Sequence, residues 1–160
     1  MSIRRMTFHA LTAAGVAVLM SMTPAAANVG KGSTQVDGLL EVDQSGACPV
    51  QPSAAATYTV TGSLGGCWYI DTFTIDHTNQ GGGFVASGTE HFDGCLGSRC
   101  GTFFTTYTFT AKFLPDGTEA HGRCHHPITG GSGGFAGVSG VINMHDVSNT
   151  CAVYSGHLDL

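Results

Sequence analysis

Glu90 stands in the run "SGTEHFDG", where Gly88 and Phe92 flank it at two-residue intervals. In an extended chain those three side chains share one face, so the carboxylate sits among small and apolar neighbours. A carboxylate held in such a place can give or take a proton during a reaction. His126 in "HGRCHH" and Tyr107 in "TFFTTYTFTAKF" are the side chains that could assist it. With Thr105 they would form a Glu–Thr–His–Tyr cluster on a cavity wall. The opposing reading makes Glu90 structural, paired with Arg99 or hydrogen-bonded to backbone at one end of the fold.

Other chemistries find less support. His121 and His125 lie four residues apart, which on a strand is roughly 13 Å, too far to share a metal without help from other strands. The six cysteines, Cys48, Cys67, Cys95, Cys100, Cys124 and Cys151, include no Cys-x-x-Cys pair. An even count reads as up to three disulfides rather than a zinc site, and no metal or other cofactor is expected. Cys95 can bridge to Cys100 across "LGSR" or to Cys67 on a neighbouring strand, and spacing leaves both open. Ser132 and Ser139 lack the strand–elbow–helix setting of a nucleophilic serine. Gly131-Ser132-Gly133-Gly134-Phe135-Ala136 fits the loose G-x-G-x-x-G/A pattern, but a phosphate loop needs a helix after it. The chain continues as "GVSGVINMHDV", which alternates like a strand. "GGSGG" therefore reads as a flexible turn, and Trp68 and Tyr69 read as packing rather than a stacking platform.

These residues must be positioned by strands. Short runs rich in Thr, Val, Phe and Tyr alternate with Gly, Asn, Asp and Pro, and helical periodicity is absent beyond the N-terminal segment. Eight strands are expected, at about 35–43, 56–64, 67–76, 83–94, 101–113, 118–128, 135–147 and 151–160. In "TFFTTYTFTAKF", Phe103, Thr105, Tyr107, Phe109, Ala111 and Phe113 face one way, and threonines dominate the other face. "LPDG" is a turn by its Pro and Gly, and it predicts Phe113 opposite Thr118. That register places Phe109 against Gly122, Tyr107 against Cys124 and Thr105 against His126. Across the 95–100 loop, Phe92 faces Phe103, Glu90 faces Thr105, and Gly88 faces Tyr107, giving the ring room. The expected fold is all-β, an eight-stranded antiparallel up-and-down β-barrel, with a β-sandwich as the alternative. Gly88, Phe92, Phe103, Thr105 and Phe109 are the expected cavity-lining residues.

The chain of 160 residues begins as an export leader does. Arg4 and Arg5 precede the apolar stretch Leu11 to Met22, and Pro24-Ala25-Ala26-Ala27 offers small residues for cleavage near Ala27. Residues 28–160 then form one domain, secreted or periplasmic, with no further segment suited to crossing a membrane. That part keeps four Lys/Arg (Lys31, Arg99, Lys112, Arg123) against eleven Asp/Glu, which excludes nucleic acid and anionic membrane surfaces as partners.

"EHFDGCLGSRCGTF" (Glu90 to Phe103) and "GGSGGFAGVSG" (Gly130 to Gly140) together resemble a bacterial family of unknown function in the allene-oxide-cyclase-like barrel group. Glu90, Gly94, Gly97, Arg99, Gly101 and Phe103 match its first motif. Gly131, Ser132, Gly133, Phe135, Gly137 and Gly140 match its second, and "YSGHLDL" is similar to its closing strand. The likeness covers roughly residues 84 to 160. The leader, the six cysteines, and Cys at 95 and 100 depart from the family pattern. The resemblance, which extends to dirigent proteins and allene oxide cyclases, implies an apolar barrel cavity that holds a small molecule without metal or nucleotide. Three functions follow as expectations: a secreted barrel binding a small apolar ligand, a cofactor-independent isomerase or cyclase using Glu90 with His126 and Tyr107, or a structural or inhibitory surface protein.

Overall fold

A computed structural model describes residues 32–160. The expected leader and its cleavage point near Ala27 lie outside the described residues. Eight strands follow in order: β1 (Ser33–Val42), β2 (Ala56–Gly62), β3 (Leu64–Thr78), β4 (Gly83–Leu96), β5 (Arg99–Phe113), β6 (Glu119–Gly133), β7 (Ser139–Ser148) and β8 (Cys151–Asp159). Each pairs antiparallel with the next, and β8 returns to β1 from Ser33↔Asp159 to Glu41↔Cys151. The sheet is a closed barrel, and the sandwich alternative falls because neither β1 nor β8 is left as an edge. Among the described residues no helix is long and apolar enough to cross a membrane, which says nothing of spanning by strands.

The β4–β5 register is the expected one, with Phe92↔Phe103, Glu90↔Thr105 and Gly88↔Tyr107. A Cβ on Gly88 would strike the Thr72 carbonyl and the Tyr107 ring, so glycine there makes room for the tyrosine. The β5–β6 register departs from expectation. Phe109 faces Cys124 rather than Gly122, and Thr105 faces Ile128 rather than His126. The turn closes one residue later, at Phe113↔Glu119, and a bulge between Lys112 and Phe113 takes up another residue. Two single-residue changes move the partners of residues 105–112 by two positions, and a shift of two leaves each of those side chains on its own face; a second bulge, between Phe104 and Thr105, moves the partners of residues 101–104 by one more.

"GGSGG" is likewise not the turn between β6 and β7. Gly131, Ser132 and Gly133 pair with Phe103, Thr102 and Gly101 of β5, and the turn is formed by residues 134–138. That turn folds Phe135 over one end of the barrel, where its ring lies 5.4 Å from Phe103 and 6.1 Å from Phe92. Phe92 and Phe103 stack at 4.9 Å. Leu64, Leu158 and Val138 complete a buried plug, each large ring contributing roughly 1.5–3 kcal/mol through burial.

Of the six cysteines, Cys48 bridges to Cys67 and Cys95 to Cys100, while Cys124 and Cys151 are free thiols. The Cys48–Cys67 bond holds the β1–β2 connection against the outside of β3. Beneath it Tyr69 is buried, donating its hydroxyl to the Pro49 carbonyl at 3.1 Å and stacking on His91.

Candidate functional site

The end of the barrel opposite Phe135 is not filled by side chains. It holds a cavity of about 240 Å³. Trp68, Glu90 and His126 form its floor, and Leu40, Tyr58, Ile70, Tyr107, Phe109, Cys124 and Met144 its walls. Phe73, Glu119, Asp146 and the residues from Ser148 to Ala152 surround the mouth. The floor rests on the plug, with the Trp68 indole meeting Phe103 edge to face at 5.6 Å. Packing beneath and strands around it fix these side chains before any ligand arrives.

Glu90 on β4 and His126 on β6 are 5% and 1% exposed. Glu90 Oε2 accepts the indole N–H of Trp68 at 2.5 Å and lies 2.9 Å from His126 Nε2. His126 Nδ1 lies 3.3 Å from the Ile142 carbonyl. A carbonyl only accepts, so Nδ1 carries a hydrogen, and the tautomer follows from this partner. With a carboxyl group on the imidazole's other side, a second proton must lie on the Nε2–Oε2 axis. The imidazolium–carboxylate and imidazole–carboxylic acid forms differ only in which atom holds it. The pair is thus a buried proton store at the base of a cavity, its heavy atoms fixed by Trp68 and Ile142.

Tyr107 lines the same wall, with its ring 6.0 Å from His126, but its hydroxyl donates to the Thr72 carbonyl at 3.2 Å. Burial first, and the Glu90 charge second, hold its phenol well above the usual tyrosine range. The Cys124 thiol is pushed up by the same two causes. Thr105 is buried beside Glu90 in the ladder, and its hydroxyl makes no hydrogen bond to Glu90 or His126. The structure therefore brings Glu90, His126 and Tyr107 to one cavity and joins only the first two directly. Arg99 does not pair with Glu90; its guanidinium donates to the Gly134 carbonyl at the closed end.

Of the expected lining residues, Phe109 borders the cavity. Phe92 and Phe103 belong to the plug, and Gly88 packs against Thr72 and Tyr107. Trp68, expected only to pack, is a hydrogen-bond partner of Glu90. The signal that could have found it is the alternation from Leu64 through Gly66 to Trp68, which turns the indole inward.

At the mouth, Glu119 on β6 and Asp146 on β7 hydrogen-bond through their carboxyls. Both lie over Gly122, where a Cβ would collide with the two groups. Burial, then the hydrogen bond and charge of Asp146, push Glu119 up to about 7. Burial likewise raises Asp146. Two carboxyls in contact cannot both ionise without repulsion, so they share a proton near neutrality. Sequence reasoning missed this pair because its members lie on different strands, with no local pattern to join them.

Among the described residues no group of three or more His, Cys, Asp or Glu side chains is arranged to hold a metal ion. His121 and His125 are exposed, and His125 Nδ1 lies 2.8 Å from the Asn143 side-chain oxygen. No protein-family profile matches the chain, and no curated protein matches its sequence.

Proposed function

We propose that this chain is an exported barrel that binds a small, largely apolar molecule in the open half of its interior. One observation carries the reading: the barrel is packed solid at one end and keeps a cavity of about 240 Å³ at the other. A barrel serving only as a scaffold gains stability by filling that space. An apolar cavity of 150 Å³ accepts benzene, so this one suits a molecule of on the order of ten non-hydrogen atoms. The resemblance to allene-oxide-cyclase-like barrels supports the same use of the interior, and two disulfides suit an oxidising compartment.

Trp68 is the only tryptophan and lies on the cavity floor, so ligand entry is read directly in its fluorescence. Native mass spectrometry of protein recovered from its own culture supernatant is expected to reveal a co-purifying small molecule. Its removal and return should shift or quench Trp68 emission. A chain that carries nothing, and whose emission ignores a panel of probes of that size, is a structural or inhibitory surface protein instead.

The shared proton between Glu90 and His126 favours a second reading, a cofactor-independent isomerase or cyclase. Glu90 would take a proton from one carbon of the bound molecule and return it to another. In that case Glu90→Gln lowers turnover of the co-purified molecule by about a hundredfold or more, and lowers affinity far less.

A further inference from the structure

We infer that the molecule bound in the cavity is an organic cation, an amine or quaternary ammonium group on a compact apolar body. This rests on the cavity being a ligand site, as proposed above, and comes from the charges and ring faces around it. Three carboxyl side chains border the space, Glu90 at the floor and Glu119 with Asp146 at the mouth. Among the described residues no lysine or arginine borders it. Of the described cationic side chains, Arg99 is held at the closed end, Lys112 donates to the Gly81 carbonyl, and Arg123 is exposed.

The remaining lining suits the same ligand. Tyr58, Trp68, Phe73, Tyr107 and Phe109 border the space from three strands. Aromatic faces attract an ammonium group, most strongly once both are out of water. An anion meets the opposite. Tyr58, Tyr107 and Cys124 are all held protonated by burial first and by the Glu90 charge second, so the interior already opposes one more negative charge. A carboxylate or phosphate ligand would meet a carboxyl group at each end, no lysine or arginine among the described residues of the lining, and as its basic partner a His126 already engaged by Glu90.

The mouth supplies a pH signature. Glu119 and Asp146 face Tyr58 from β2, Glu90 from β4, Tyr107 from β5, Cys124 and His126 from β6, and Cys151 from β8, with His145 adjacent on β7. The proton they share is released when a cation takes its place between them and the aromatic walls. Because Glu119 sits at about 7, the affinity for a permanent cation rises about tenfold from about pH 6 to about pH 8.

The test uses three probes of equal non-hydrogen atom count: phenyltrimethylammonium, its carbon isostere tert-butylbenzene, and phenylacetate. Binding is followed by Trp68 emission and calorimetry on the full mature chain. The expected result is that the ammonium probe binds about tenfold tighter than tert-butylbenzene at pH 8, with phenylacetate weakest. The ammonium affinity should rise with pH while that of tert-butylbenzene stays level. In the Glu119→Gln, Asp146→Asn double variant the ratio of the two affinities should fall to within about threefold, and the pH dependence should vanish. Reading a ratio separates this from misfolding, which weakens both probes together. Equal or tighter binding of tert-butylbenzene or phenylacetate overturns the charge inference and leaves the cavity reading standing. No binding by any of the three at millimolar concentration overturns the cavity reading itself, and this inference with it.

Discussion

Glu119→Gln should make the barrel more stable above neutral pH and should flatten its pH dependence. In the folded chain Glu119 and Asp146 are hydrogen-bonded over Gly122, and the fold holds a proton on Glu119 up to about pH 7. The unfolded chain releases it near 4.5. Between those values the native state binds more protons than the unfolded state, so stability falls as pH rises. The contribution is fully present below about 4.5 and is lost as pH climbs through about 7. Integrating over that window gives at most about 3 kcal/mol. Solvent at the cavity mouth screens part of this, which leaves about 1–2 kcal/mol. Glutamine keeps a donor for Asp146 and removes the titration, so the variant should gain that amount at pH 8.5 and little at pH 5. Urea unfolding of both proteins at the two pH values, disulfides intact, measures it. In thermal unfolding at pH 8.5 the midpoint temperature should rise by roughly 2–8 °C. Groups away from Glu119 and Asp146 are the same in both proteins and cancel in the difference. Parallel pH profiles for the two, or parent stability gained relative to the variant as pH rises, would refute the shared proton.

Three further outcomes follow from the floor of the cavity and from the cysteines. Glu90 Oε2 serves both Trp68 and His126, so a glutamine there either accepts from the indole or donates to the imidazole, and Glu90→Gln should lose about 1–3 kcal/mol in urea unfolding. Glu90→Ala strips both partners and opens space, and should lose about 3–5 kcal/mol. Iodoacetamide added to the denatured, unreduced chain should label Cys124 and Cys151 alone; in the native chain at pH 8, Cys124 should resist, because burial and the Glu90 charge keep its thiol protonated. Peptide mapping reads both results. Replacing Cys48 and Cys67 by serine should cost about 3 kcal/mol, against about 2 for Cys95 and Cys100, since the first bond closes a separation of 19 residues and the second only 5.

The barrel was legible because its physics is local. Alternation in "TFFTTYTFTAKF" names the inner face, and the short connection between β4 and β5 fixes their register without reference to the rest of the chain. The β5–β6 register was not legible, because the bulge beside Phe113 leaves no mark in residue types. Glu90, His126 and Tyr107 still point inward as expected, since the two errors sum to an even number and an even shift keeps the face. Only the expected β5–β6 partners were lost, and with them the placing of Thr105 opposite His126.

What a strand-by-strand reading cannot supply is which end of a barrel is full. That depends on Phe135, which comes from a turn and reaches the core only because β6 runs through its glycines before the chain reverses. Phe135, Phe92 and Phe103 fill one end, so Trp68 is supported from below and must face the open end above. There its N–H is satisfied by Glu90, and Glu90 in turn by His126. The polar floor is therefore set in part by Phe135, more than forty positions away from Glu90 along the chain. The glycine run that resembles a phosphate loop serves the site at a distance, by letting one phenylalanine close the far end. Closure at that end is what leaves the cavity, and its three carboxyl groups, facing a single mouth.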